Sequence, residues 1–141
     1  MIFDSRYSKC DIRQKKVVSA EKKNEHILYN ESGCNVYQYH IDGGIVQTRT
    51  GERCDYIVEV DMIPKSKAYI IELKGSDLEK AISQVLTTMN VFKTQLSGYI
   101  QLPRIIMRKV PTHEIHGNRY REFKRKFPDA VVSCQSYTDK I

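Results

Sequence analysis

The clearest alternation of apolar and polar positions lies in the middle of the chain. From Glu52 to Val60, the residues Cys54, Tyr56, Val58 and Val60 fall on one side, with Asp55 and Ile57 on the other. That period of two predicts a strand. Met62–Lys67 is polar and carries Pro64, which marks a turn. Ala68-Tyr-Ile-Ile-Glu-Leu73 is an apolar strand that runs into Lys74-Gly75. Ser76 or Asp77 then caps a long helix. Its apolar positions, Leu78, Ile82, Val85, Met89, Phe92 and Leu96, keep the 3/4 spacing of a buried helical stripe and end at Ser97-Gly98. Tyr99–Val110 predicts a further strand bearing Pro103. Asn118–Phe127 predicts a short basic helix with Tyr120, Phe123 and Phe127 inward, and Ala130–Cys134 a last strand.

The first third carries a weaker pattern. Arg13–Asn30 places Val17, Val18, Ala20, Ile27 and Leu28 among many polar residues, which predicts a helix ended near Gly33. Glu21 and Glu25, four apart, would share one face of it. Val36–Ile41 alternates Tyr37, Tyr39 and Ile41 as a strand, and Asp42-Gly-Gly44 is a turn after which Ile45–Arg49 returns as a hairpin arm. The order of helix, strands, long helix, strand, helix and strand predicts an α/β fold, with a mixed central sheet flanked by helices in a single domain over residues 1–141.

Length and composition agree with that domain count. The chain has 141 residues, 40% hydrophobic and 28% charged, the balance of a soluble globular protein. No apolar run approaches the roughly 20 residues that span a bilayer. An acid at position 4 disfavours a signal peptide, so a cytoplasmic protein without membrane contact is expected. The four cysteines, Cys10, Cys34, Cys54 and Cys134, show no CxxC spacing and read as free thiols, and His113-Glu-Ile-His116 lacks the spacing of a zinc-protease helix. The net charge of +6 is compatible with a polyanionic partner. Its distribution says more: seven acids lie between Glu52 and Glu79, whereas Tyr99–Lys126 holds eight basic residues and two acids.

The chemistry centres on Asp55 and Glu72-Leu73-Lys74. Residues two apart on a strand share a face, so Glu72 and Lys74 lie side by side at a strand end. In a hairpin-like pair the start of one strand adjoins the end of the next, which lets Asp55 meet Glu72. Two converging carboxylates make a hard oxygen site suited to Mg²⁺, with Mn²⁺ able to substitute. An ammonium beside them is explained if a water or an anionic phosphate is also held there.

Asp55, a gap of 16 residues, then Glu72-Leu73-Lys74, Gly75 and a capped helix resemble the PD-(D/E)xK nuclease superfamily. Restriction endonucleases, Holliday junction resolvases and RecB-like nuclease domains belong to it. The motif-level resemblance covers roughly Gly51–Leu96, and the remainder matches only in element order. The resemblance implies a restriction endonuclease-like αβββαβ core and a Mg²⁺-dependent endonuclease that hydrolyses phosphodiester bonds, usually in DNA. By that resemblance Asp55 and Glu72 are metal ligands, joined by the Leu73 backbone carbonyl, and Lys74 orients the attacking water and offsets phosphate charge. Gln84, ten residues after Lys74, matches a glutamine that many members carry on the following helix. A first-helix glutamate often completes the metal set; Glu25 is the first choice here and Glu21 the second. Cys54 stands where the name-giving proline often occurs, and His40 is a further ligand candidate.

Nucleic-acid binding needs cations along the phosphates. Arg104, Arg108 and Lys109 on one strand, and Arg119, Arg121, Lys124 and Arg125 on the last helix, are the candidates for backbone contacts. With little room for base-reading loops, structure-selective or weakly sequence-specific cleavage of DNA is expected. A catalytically silent binding protein or inhibitor of the same fold, or an RNase, is the alternative. A homodimer is compatible with this reading, with the Tyr37, Tyr39 and Ile41 strand as a candidate interface.

Overall fold

Among the described residues, two sheets and three helices form layers. The computed structural model describes residues 1–46 and 53–141. The larger sheet has the order β3-β4-β5-β6-β7, from β3 (Asn35–His40), β4 (Tyr56–Asp61), β5 (Lys67–Lys74), β6 (Ile100–Met107) and β7 (Val131–Cys134). β3, β4 and β5 form an antiparallel meander. Helix α1 (Leu78–Val91), extended by the single turn α2 (Lys93–Leu96), returns the chain to add β6 parallel to β5, and α3 (Asn118–Lys126) returns it again to add β7. A parallel neighbour requires such a crossover. The protein is thus mixed α/β, as the apolar pattern predicts.

The N-terminal third differs from the helix expected there. Residues 13–30 contain the antiparallel hairpin β1 (Lys16–Glu21) and β2 (Asn24–Tyr29), which joins a C-terminal strand, β8 (Ser136–Lys140), in a second sheet of order β1-β2-β8. The inward positions do alternate: Val17 and Ser19 on β1, then Asn24, His26 and Leu28 on β2, are buried. Several are polar, so their period of two is hidden from an apolar count. The turn also lacks its usual marker, because Lys22 rather than glycine takes the positive φ, 56°. The β-favouring residues Val17, Val18, Ile27, Leu28 and Tyr29 on either side of a polar centre were the available signal.

Each face of the large sheet has its own core. On the helix side, Tyr39, Ile41, Ile57, Ala68, Ile70 and Ile105 pack against Leu78, Ala81, Ile82, Val85 and Phe123. On the other side, Val36, Val58, Tyr69, Ile71 and Ile106 pack against Val17 and Leu28 of the small sheet. A strand buried on both faces reads as an unbroken apolar run, which is why β5 and β6 look as they do. The long helix expected to end at Leu96 breaks at Phe92, whose ring meets Phe3 edge-on at 5.0 Å. Pro103 lies inside β6 but upstream of Arg104, where pairing to β7 begins.

The Tyr37–Ile41 strand is not an open interface. Tyr39 and Ile41 are fully buried, and the segment before β1 covers the β3 edge. The Lys9 N–H donates to the Gln38 carbonyl at 2.7 Å, and the Val36 N–H to the Ile12 carbonyl at 2.7 Å. Beyond Val46, which bridges to Asp42, the expected return arm runs into residues 47–52, outside the described residues. No helix among the described residues is long and apolar enough to cross a membrane.

Candidate active site

The register of β4 and β5 brings the acidic groups together. Tyr56 pairs with Ile71, and one residue further out the Asp55 N–H donates to the Ile71 carbonyl at 3.0 Å. The Leu73 N–H returns the contact, donating to Asp55 Oδ2 at 2.8 Å. Asp55 and Glu72 are both buried, at 8% and 1% exposure. Glu21 and Glu72 are the acidic neighbours that act on the Asp55 carboxyl. Glu21, the last residue of β1, shares the alternation of Val17 and Ser19 but is exposed and lines the open cleft beside Lys74. Glu25, on β2, alternates with the inward residues Asn24 and His26 and so faces away. The hairpin, rather than a helix, thus makes Glu21 and not Glu25 a neighbour of Asp55.

The surroundings are built around this cluster. The Asn24 side-chain amide donates to the Lys74 carbonyl at 3.0 Å and fixes the hairpin tip against the end of β5. On α1, Gln84 Nε2 donates to the Arg53 carbonyl at 3.3 Å. Thr88 Oγ1 accepts the Cys54 N–H and donates to the Gln84 carbonyl, both at 2.7 Å. These bonds moor the chain entering β4 to the helix. Cys54 is fully buried, and burial pushes its thiol well up, so it is protonated and inert. His40 lies against the Tyr56 ring, with centroids 5.0 Å apart.

Electrostatics single the cluster out. Burial first, and then the Asp55 charge, raise Glu72 to about 9, against the pull of Lys74. Burial and the neighbouring Glu21 raise Asp55 to about 7, against the Leu73 N–H. Glu72 Oε1 and Gln84 Oε1 are buried acceptors with no hydrogen-bond partner among the described residues. Among the described residues no group of three acidic, His or Cys side chains is already arranged as a metal cage. Instead the raised Glu72 carboxyl keeps its proton at neutral pH, with Asp55 and Glu21 as its acidic neighbours. The donor chemistry, hard oxygens with an orphaned carboxylate atom, fits Mg²⁺ or Mn²⁺.

Comparison with protein-family models, curated proteins and solved structures returned no significant match. The functional reading therefore rests on the residues themselves.

The basic candidates separate sharply. Arg104 is 6% exposed and takes no part in a surface. It makes a two-pronged ion pair with Asp139 of β8, Nε at 2.8 Å and Nη2 at 3.0 Å, and donates to the Asp129 carbonyl at 2.7 Å. Its β6 position points it into the layer between the sheets. Lys124 is spent on the Pro128 and Ala130 carbonyls, at 3.1 and 2.6 Å. Arg119 reaches Ser83 on α1 at 3.3 Å. Arg121 and Arg125 are exposed on α3. Arg108 is exposed and lines an open cleft of about 440 Å³ beside Lys74, with Glu21 and the hairpin-tip residues Lys22 and Lys23. Lys109 follows Arg108, its N–H donating to the Gly75 carbonyl at 3.3 Å. The hairpin-tip lysines escaped the sequence reading because a helix was expected there.

The raised carboxylates make stability depend on pH. Asp55 and Glu72 ordinarily titrate at 3.8 and 4.5. Below those values both chains, folded and unfolded, hold the protons. Above them the unfolded chain releases protons that the folded chain keeps, so stability falls as pH rises towards 9. Thermal melts in EDTA are expected to show a decline from pH 5 to 9, and Mn²⁺ at pH 8 to reverse much of it. A flat profile would contradict the burial of this cluster.

Proposed function

We propose that the protein is a metal-dependent nuclease that hydrolyses phosphodiester bonds in DNA, with structure-selective or weakly sequence-specific action. The observation that carries this reading is the convergence of Glu21, Asp55 and Glu72 with Lys74 at the end of β5, beside a cation-lined cleft. It is the arrangement that the resemblance to the PD-(D/E)xK superfamily implies, with Glu21 in the place of a first-helix glutamate. The restriction endonuclease-like core belongs to the same proposal, because here a β-hairpin replaces the first helix.

Glu21, Asp55 and Glu72 are the residues that would hold Mg²⁺, joined, as the resemblance implies, by the Leu73 carbonyl. A divalent cation bound there supplies polarisation of a phosphoryl oxygen. The chain's own groups supply the rest. Lys74 places a positive charge beside Glu72 at the cleft, where it offsets the charge of an entering phosphate and can hold a water in line. Gln84 contributes a free acceptor from α1. Burial of Asp55 and Glu72 lowers the local dielectric, so each of these interactions is stronger than in water.

The test is cleavage of supercoiled plasmid, linear duplex, single-stranded and branched DNA, with tRNA alongside, in Mg²⁺, Mn²⁺ or EDTA. Cutting in the metals and none in EDTA is expected. Lys74→Ala should lower the rate by about 10²–10³-fold, the usual loss on removing a group that stabilises developing charge, with the thermal melt little changed. Metal-dependent cutting that survives Asp55→Ala, Glu72→Ala and Lys74→Ala alike would refute the assignment.

A further inference from the structure

Two lysines occupy the tip of the β1–β2 hairpin, and their placement is costly. The loop between the paired Glu21 and Asn24 is Lys22-Lys23, and Lys22 adopts φ 56°, a left-handed conformation that suits glycine and penalises other side chains. Both lysines are exposed. The tip is nonetheless held in place from both sides, by Glu21 in the carboxylate cluster and by Asn24 on the Lys74 carbonyl. Arg108 lines the same cleft, and its N–H donates to the same Lys74 carbonyl at 3.1 Å. The hairpin-tip lysines and Arg108 therefore form two cationic lips beside Lys74, both fastened to a single carbonyl at the end of β5. Like charges that line one cleft repel, and an anion seated there relieves that repulsion.

Building on the nuclease reading, we propose that the cleft seats a polynucleotide backbone, with Lys22 and Lys23 holding a phosphate on one side of the reacting group and Arg108 one on the other. A chain gripped on both sides of its reacting phosphate is entered internally, not from an end. This assigns a binding role to Lys22 and Lys23 and separates Arg108 from the other arginines.

The assay is fluorescence anisotropy of a short labelled DNA, single-stranded and duplex, titrated with the full chain carrying Glu72→Gln. Lys22→Gly, Lys23→Ala or Arg108→Ala is added one at a time, at salt from about 50 to 200 mM. Each should weaken binding about three- to tenfold at the lower salt and reduce the salt slope by about 1. Lys22→Gly should melt no lower than its parent, because glycine accepts the positive φ, so a lost affinity is not lost folding. With Glu72 restored, the protein should cut a closed circular single strand. Parental affinity in all three lip variants, or cutting from free ends alone, overturns the inference while leaving the nuclease reading standing. Absence of cutting on every substrate overturns both.

Discussion

Replacing Glu72 by glutamine is expected to remove metal-dependent cleavage and, at the same time, to stabilise the cation-free protein. Loss of one carboxylate from a hard-oxygen site should lower the rate by at least about 10³-fold, since both the cation's hold and its charge balance suffer. The stability gain follows from linkage. Glu72 is 1% exposed and shifted up to about 9, by burial first and then by Asp55. Folding at neutral pH therefore requires the side chain to take up a proton that the unfolded chain has released. Glutamine keeps the shape of the protonated acid and needs no proton. The gain at pH 8 should be on the order of a few kcal/mol and should shrink to nothing as pH falls towards the ordinary value of 4.5. Parallel melts and cleavage assays of parent and E72Q measure both effects. A variant that still cuts at the parental rate, or that melts lower at pH 8, would remove Glu72 from the proposed site.

Asp139→Ala is expected to be the most destabilising single substitution outside the apolar cores. Asp139 joins three strands from two sheets: His26 Nε2 of β2 lies 2.8 Å from Oδ2, and Arg104 of β6 grips both oxygens. The guanidinium also lies over the rings of Tyr69 and Tyr137, at 5.4 and 5.6 Å. Burial pushes the Asp139 carboxyl up, but hydrogen bonds from His26 and Arg104 outweigh it and hold the group below its ordinary value. Its contribution is therefore present above pH 3.8 and lost in acid, opposite in sign to the carboxylate cluster. Truncation leaves the buried Arg104 cation unpaired, which costs about 3–5 kcal/mol, or about 10–20 °C in melting temperature for a domain of this size. Replacing Arg104 and Asp139 together by apolar residues of similar volume should recover most of the loss. If Asp139→Ala melts within about 3 °C of the parent, the network contributes little and the small sheet is held by Val17 and Leu28 instead.

Positive charge in this chain is a poor guide to binding until burial is known. Arg104 and Arg108 are four residues apart on the same strand and its continuation. The first is a structural cation enclosed between sheets, and the second rims the cleft. The same holds for the acids. A helix put Glu25 ahead of Glu21 on one shared face, but opposite faces of a hairpin turn Glu25 away and leave Glu21 beside Asp55.

By itself the sequence determined the elements whose periodicity is apolar and local: β3 to β7, α1 with a cap at Ser76 or Asp77, and α3. It also determined the meeting of Asp55 with Glu72, because a short turn between two strands leaves one register and hence one neighbour for each residue. The tertiary structure decided what depends on polar burial and distant partners. The β1–β2 hairpin hides its alternation behind Ser19, Asn24 and His26, and β8 offers only Tyr137 as an apolar mark. Such polar residues face inward only because partners from elsewhere in the chain satisfy them, as Asp139 does His26, and no window of local sequence contains both members of that pair.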